Sequence, residues 1–520
     1  MKHTIYIILS LVMMFSLVGC SNKDTEVVIS KFIATDSGVS YSESDVYRDY
    51  SAEEATSISF ADGGAEISGS GAVCSQNLLT IEAAGTYILT GDFNGTINIK
   101  ADEDAIVQLV LNNVNIHSDN GPGIYEKKAE KLVILLPEGT VNTIEDAKEY
   151  ADKSDSAPTG AVYAKDDMTI TGEGRLNIVA NNNDGLVSKG SLIIMSGEIY
   201  VAAADDCIVG KKLLAVKDGE ISLTAGGHGL KVTDEEAGKL VIESGNINIT
   251  AKGDGINSAN TVTLIAMVLT VDAEDDGIHA DKELCIQGGT INILKSNEGL
   301  EAVSIVINEG EISLVSLDDG INACGGVNNQ GFGGARKNNG AIEGKSTNAA
   351  DLETPCLTIN GGNIYVDAAG DGLDSNGVIV MNGGFVYVSG STDSNNNATD
   401  YESSFTMNGG TIIASGSSGM YQSVSEGSKC YAIDYFANGN IAAGTECSLY
   451  DGDKLLYSFV NKKSANAILI AGEELENGKE YTLVIGKDTV KVVASEGSNG
   501  GFGMVNGKGN RDCEGRGERC

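Results

Sequence analysis

Along most of the chain, aliphatic and polar residues alternate in short runs that glycine-containing turns interrupt. The blocks "LIIMSGEIYVAAA" (192–204), "LVIESGNINITAK" (240–252), "LCIQGGTINILKS" (284–296), "LTINGGNIYVDAA" (357–369) and "IVMNGGFVYVSGS" (379–391) share one form. Each runs aliphatic-x-aliphatic, then a Gly turn, then x-aliphatic-x-aliphatic. That is a period of two, the mark of strands with one buried face. No segment shows the 3.6-residue period that a helix between strands would need.

Between these blocks a second motif recurs: "GDGINS" (253–258), "DDGIHA" (275–280), "NEGLEA" (297–302), "DDGINA" (318–323) and "GDGLDS" (370–375). Its first aligned position is Asp184, Asp206, His228, Asp254, Asp276, Glu298 and Asp319, at intervals of 22, 22, 26, 22, 22 and 21 residues, with Asp371 a further 52 on. A repeat of this length with three short strands and no helix predicts a stacked solenoid, each repeat forming one coil. A leucine-rich repeat has a similar period but needs a fixed Asn and a helical return, and neither is visible. The fold class expected is therefore all-β: a right-handed parallel β-helix of about 22 residues per coil, with a small C-terminal β module.

"AIVQLVLNNVNIHS" (105–118), "GIYEKKAEKLVILLPEGTVNTI" (123–144) and "AVYAKDDMTITGEGRLNIVA" (161–180) read as less regular coils, with 145–160 as a loop. The β-helix is expected over 58–425, with an insertion at 324–356, and the β module over 426–494. Residues 495–520 form a Gly-rich tail expected to be disordered, as is the Gly-rich "GGVNNQGFGGARKNNG" (325–340).

The N-terminus adds location. Lys2 precedes an apolar run that ends in "LVGC", so residues 1–20 read as a lipoprotein signal peptide with Cys20 as the lipidated residue. Residues 21–57 would be a tether, and the rest would lie outside the cell, anchored to the membrane only through lipid. Nine further cysteines cannot all pair within the chain. Cys324 with Cys356, Cys430 with Cys447 and Cys513 with Cys520 are local options. Cys74, Cys207 and Cys285 would be lone thiols, and a largely unpaired set is the alternative.

The charge narrows the partners. Asp and Glu number 73 against 35 Lys and Arg, for a net charge of −38. Such a surface repels nucleic acid and anionic lipid, and it favours divalent cations.

With "LVLNNVNI" (109–116), "LPEGTVNTIED" (136–146), "KDDMTITGEGRLNI" (165–178) and the "DGI" coils in this order, residues 58–495 resemble a family of bacterial secreted carbohydrate-binding proteins. The resemblance implies a right-handed parallel β-helix like that of polysaccharide lyases, calcium binding, and plant cell-wall polysaccharides such as cellulose or polygalacturonate as ligands. It carries no proven catalysis.

In a stacked coil Ile278 and Ala280 point inward and His279 outward, and Gly277 occupies the turn. Those roles leave the acids unexplained. Asp254, Asp276, Glu298, Asp319 and Asp371 would line up on successive coils. Glu301, Asn322 and Asp374 form a second column three residues on, with Asn257 and His279, and Asp275 and Asp318 add further carboxylates. Like charges ~4.8 Å apart repel by about 1 kcal/mol in water and ~3–4 kcal/mol at an effective dielectric of 20. A single Asp-Gly needs only a turn, but this cluster is a set of hard oxygen ligands suited to Ca2+. The spacing is not that of an EF-hand, which keeps its ligands in one 12-residue loop.

Three readings follow. In the first, the calcium-bearing face binds an acidic or cellulosic cell-wall polysaccharide, with Tyr200, Tyr365 and Tyr387 as stacking platforms, and the protein is a monomer. In the second, it is a calcium-dependent pectate lyase acting by β-elimination, which needs a base such as Lys231, Lys282 or Lys295. The known lyase pattern has an acid where this chain has His279 or Asn322. In the third, the solenoid is a structural spacer.

Overall fold

The computed structural model describes residues 37–46, 49–61, 64–324 and 354–498. The signal peptide with Cys20, the tether to residue 36, most of the insertion (325–353) and the tail from 499 lie outside the described residues.

The alternating pattern becomes a parallel β-solenoid of about 13 turns. One coil comprises strands Asp184–Ser188, Ser191–Ile194 and Glu198–Ala203, and the next comprises Ile208–Gly210, Leu213–Val216 and Glu220–Ala225. Each strand pairs in parallel with its counterpart one coil on. Because register is kept, one apolar position recurs at the same depth. Ile199, Ile221, Ile247, Leu269, Ile291, Ile312, Ile364, Val386 and Ile412 form one unbroken inner ladder. Each of these side chains is worth ~1.5–3 kcal/mol when buried.

The 52-residue interval is one coil plus the insertion. Asn322 pairs with Asp374 and Ser304 with Cys356, so the stack continues in register across residues 325–353.

Two kinds of glycine make close stacking possible. Gly245 adopts φ +105°, which a side chain disfavours. Gly277 has no positive φ, but a Cβ there would lie 2.6 Å from the Gly299 carbonyl oxygen of the next coil. Close approach between coils, not a positive φ, is therefore what requires glycine at 277.

The last coil does not end on a bare edge. Strand Ala465–Gly472 pairs antiparallel with Thr411–Gly416 on one side and with Tyr431–Ile441 on the other. Beyond it, a separate four-stranded antiparallel sheet contains Thr445–Asp451, Lys454–Asn461, Glu480–Ile485 and Asp488–Val493. This module covers amide and carbonyl groups that would otherwise recruit another chain. Ser495 still bridges to Ala432, so order extends into the start of the expected tail.

Residues 37–46, within the expected tether, lie against the wall of the solenoid. Val39 and Tyr41 pack on Ile193, Met195 and Ala215, and the Tyr41 hydroxyl donates to Glu243 at 2.8 Å. Asp45, 1% exposed, pairs with Lys131 and accepts from Thr169 Oγ1 at 2.6 Å.

The cysteine options change. Cys324, Cys430 and Cys447 are free thiols, as are Cys74 and Cys207. Cys430 lies in the solenoid core and Cys447 in the core of the module, so the two are held apart. Cys356 and Cys285 each engage in disulfide bonding, although Cys285 was expected to be a lone thiol.

A carboxylate ridge as candidate functional site

The turn joining the third strand of one coil to the first strand of the next carries the repeated acid. Its backbone and side chain interlock along the stack. Asp184 Oδ1 accepts the Asp206 amide, Asp206 Oδ1 the His228 amide, Asp254 Oδ1 the Asp276 amide and Asp276 Oδ1 the Glu298 amide, at 3.3, 2.7, 2.9 and 3.2 Å. Farther along, Asp319 Oδ1 accepts the Asp371 amide at 2.6 Å, and Asp371 accepts that of Asn397. At His228, which takes the acid's place, Nδ1 accepts the Asp254 amide at 2.9 Å. One oxygen of each of these acids is thus structural, a role that spacing alone did not disclose.

The other oxygen is the chemical problem. A ladder at the turn after the second strand shows the contrast: Asn360 donates to Asn308, Asn382 to Asn360 and Asn408 to Asn382, at 2.8, 2.8 and 2.9 Å. An amide has both a donor and an acceptor, so such a ladder satisfies itself; carboxylates only accept. Along the ridge the second oxygens find scattered donors. Lys231 Nζ reaches Asp206 at 2.7 Å, Asn257 reaches Asp254 at 2.6 Å, and Asn322 Nδ2 reaches Glu298 at 2.8 Å.

The second polar column forms as expected. Lys231, Asn257, His279, Glu301, Asn322, Asp374 and Asp400 follow one another in strand register. His279 is more than an outward polar residue. Its Nδ1 lies 2.6 Å from Glu301 Oε2 and 3.5 Å from Asp276 Oδ2, and its Nε2 lies 3.0 Å from Asp281. Burial opposes a charged ring, but these carboxylates outweigh it and hold His279 far above the usual imidazole range. Burial likewise works against Glu301, yet its bond to His279 keeps it well below the usual carboxylate range. His279 is therefore an internal counter-ion for this part of the ridge.

Three groups of possible ligands have their atoms within 4.8 Å of one another among the described residues: Asp254–Asp275–Asp276, Asp276–His279–Glu301 and Asp184–Asp205–Asp206. In the second, the His279 cation already stands between the acids. In the third, Asp206 is paired with Lys231. The first is all oxygen, spans two adjacent coils, and has Asp254 and Asp276 4% and 3% exposed, with His228 and His279 at 3.4 and 3.5 Å from their Oδ2 atoms. Burial, followed by Glu301 and Asp254, pushes the Asp276 carboxyl up to about 7. This donor set fits a hard cation of the calcium type.

Asp318, Asp319, Asp371 and Asp374 do not fall into a group that compact. Asp319, Asp371, Asp374 and Asp400 still act on one another electrostatically. Burial and these neighbours raise Asp319 to about 6, Asp371 to about 7 and Asp374 to about 8. Beside them, Asn322 Oδ1 is buried without a hydrogen-bond partner. An orphaned carbonyl oxygen among crowded carboxylates also fits a cation. Asp400 was missed in the sequence because "ATDYES" lacks the Gly of the repeat.

The aromatic candidates separate. Tyr200 and Tyr365 are 38% and 41% exposed and share one outward column. Arg175 lies over the Tyr200 ring at 4.9 Å. Tyr387 is not a platform: it is 5% exposed, packs against Phe459, and donates to the Val460 carbonyl at 2.7 Å. The C-terminal module covers it. Of the candidate bases, Lys231 is held by Asp206, Lys282 donates to the Glu235 carbonyl at 2.9 Å, and Lys295 is exposed on the third strand. A lysine tied to a carboxylate or a carbonyl is not free to reach a substrate proton.

The first part of the ridge falls in the segment that known proteins share. Residues 75–331 match a carbohydrate-binding family. The family is described as carbohydrate-binding domain-containing protein. A carbohydrate-binding domain-containing protein of Acetivibrio thermocellus is 36% identical over 132 residues, 25% of this chain and 46% of that protein. The match thus spans about half the length of that curated relative. A solved structure, the polysaccharide lyase-like protein from C. thermocellum as a gadolinium derivative, is similar at 31% identity and a TM-score of 0.44, over 44% of this chain and 96% of that one. The family match supports a carbohydrate-binding role for the segment that carries Asp254, Asp275 and Asp276.

Proposed function

We propose that the protein binds an acidic cell-wall polysaccharide such as polygalacturonate through Ca2+ held on the carboxylate ridge, as a lipid-anchored protein outside the cell. The observation that carries this reading is the all-oxygen group of Asp254, Asp275 and Asp276 inside the segment matched to the carbohydrate-binding family. Those three residues would hold the ion, and a bound Ca2+ supplies positive charge to which a uronate carboxylate can add as a further oxygen ligand. The chain's own residues do the positioning. The Asp254 and Asp276 oxygens that cap the next coil lock both carboxylates in place, and His279 restrains Glu301 beside them. At long range a chain of charge −38 repels an anionic glycan, so binding needs positive charge placed at the contact itself.

The test is retention of the protein on polygalacturonate with calcium and with EDTA at about 0.5 M salt, where exposed charges are screened, while following ultraviolet absorbance of unsaturated product. Retention that needs calcium and is lost in Asp254→Asn/Asp275→Asn supports the reading. Calcium-independent behaviour of both proteins refutes its calcium part, and rising absorbance replaces binding with elimination chemistry.

A further inference from the structure

The register column that carries Asp281 toward its C-terminal end carries the opposite charge toward its N-terminal end. The register position after Glu126, Ala164, Ser188 and Gly210 is Lys127, Lys165, Lys189 and Lys211 on four successive coils. The backbone confirms the alignment: the Lys165 amide donates to Glu126, Lys189 to Ala164 and Lys211 to Ser188, at 3.3, 3.0 and 3.0 Å. In the same column the next coils have Thr233, Ala259 and then Asp281, where the sign reverses.

Lys165, Lys189 and Lys211 are exposed and Lys127 is half-buried. None of the four has a carboxylate within ion-pair distance among the described residues, whereas Lys131, Lys217, Lys231, Lys463 and Lys479 all do. Asp152 acts on Lys127, Asp234 on Lys211 and the buried Glu126 on Lys165, all from beyond ion-pair distance. Three of the lysines lie on aromatic rings instead. Lys127 is 4.6 Å and Lys165 6.0 Å from the centre of Tyr125, and Lys189 is 5.8 Å from that of Tyr163. The two rings meet edge to face at 5.6 Å. Cation–π contacts hold ammonium groups in place without neutralising them.

In a chain with 73 acids, a column of four lysines without close carboxylates is positive charge left for an outside anion. Coils repeat every ~4.8 Å, close to the rise of one sugar residue in an extended glycan, so the column offers one cation per sugar. We propose that Lys127, Lys165, Lys189 and Lys211, with Tyr125 beside them, form a second, calcium-independent docking track for a carboxylate-bearing polysaccharide running along the solenoid axis. The inference rests on the carbohydrate-binding reading but not on its calcium site. The track lies wholly within residues 75–331. Duplex nucleic acid is the poorer fit, because at about one negative charge per 1.7 Å of axis it is repelled by the net charge far more strongly than a glycan with one carboxylate per sugar.

The experiment measures affinity of the full chain for polygalacturonate in EDTA at low salt and at about 0.5 M salt, where exposed charges are screened. Binding at low salt and not at high salt is expected. The Lys165→Gln/Lys189→Gln/Lys211→Gln variant should bind at least tenfold more weakly with an unchanged melting temperature, and the matching triple Arg variant should bind like the parent. Fully methyl-esterified glycan should not bind. No binding of the parent in EDTA, equal binding by the Gln variant, or equally tight binding of a DNA oligonucleotide of the same charge would overturn the proposal. Lysine-dependent binding in EDTA without any calcium effect would sustain this track while refuting the calcium site.

Discussion

Replacing Asp276 with Asn should reverse the sign of its effect on stability according to calcium. Asp276 is 3% exposed, and an oxygen of it lies within 4.8 Å of Asp254 and Asp275 oxygens. At that separation two unit charges repel by about 3.5 kcal/mol with an effective dielectric near 20. Asn retains an oxygen that can accept the Glu298 amide, now at 3.2 Å, so the bond between coils survives. His279 loses a partner at 3.5 Å, which returns roughly 1 kcal/mol. In EDTA at pH 8, the variant is expected to be more stable by on the order of 1–3 kcal/mol. With calcium at 100 times its dissociation constant, the parent gains about 2.7 kcal/mol by linkage. The variant, with one ligand charge fewer, should gain little. Scanning calorimetry of both proteins in EDTA and in calcium reads the two signs. A variant less stable than the parent in EDTA, or a calcium shift of equal size in both, refutes the idea that this cluster is a cation site.

Gly277→Ala places a Cβ 2.6 Å from the Gly299 carbonyl oxygen and should cost about 1–3 kcal/mol, read as a lower thermal midpoint. Tyr387→Phe removes a hydrogen bond to Val460 and should cost about 1 kcal/mol while leaving glycan retention unchanged; weakened retention would restore it as a sugar platform. Glu126 is fully buried, with one oxygen unpartnered, and burial raises its carboxyl from 4.5 to about 7. Its folded-state pKa is raised, so its stabilising effect is full below pH 4.5 and is lost as pH rises through 7. Relative to Glu126→Gln, the parent should therefore weaken by on the order of 3 kcal/mol between those limits. Parallel pH profiles for the two would show that the fold does not raise the Glu126 carboxyl.

The acid spacing was legible because a solenoid converts a sequence interval into a stacking position. Asp254, Asp276 and Glu298 at intervals of 22 residues could only fall above one another once each repeat made one coil. What each carboxylate oxygen faces was not legible, since spacing does not say that Oδ1 of one Asp caps the amide of the next. The lysine track escaped notice for a related reason. Lys127, Lys165 and Lys189 are separated by 38 and then 24 residues, because the 145–160 loop interrupts the period. Tyr387 misled because its strand reads like that of Tyr365. Only the packing of the module, whose Val460 is 73 residues away, buries it.

By itself the sequence determined the coil, its inner aliphatic ladder and the alignment of the acids, because all three follow from period-two alternation and a constant repeat length. Only the tertiary structure decided which charges are compensated. His279 neutralises one stretch of the ridge, Asp254, Asp275 and Asp276 crowd within 4.8 Å of one another, and four lysines gather with no carboxylate within ion-pair distance among the described residues. The physical reason is that Coulomb energy depends on distance and burial across neighbouring coils, and a linear chain specifies neither until it is wound.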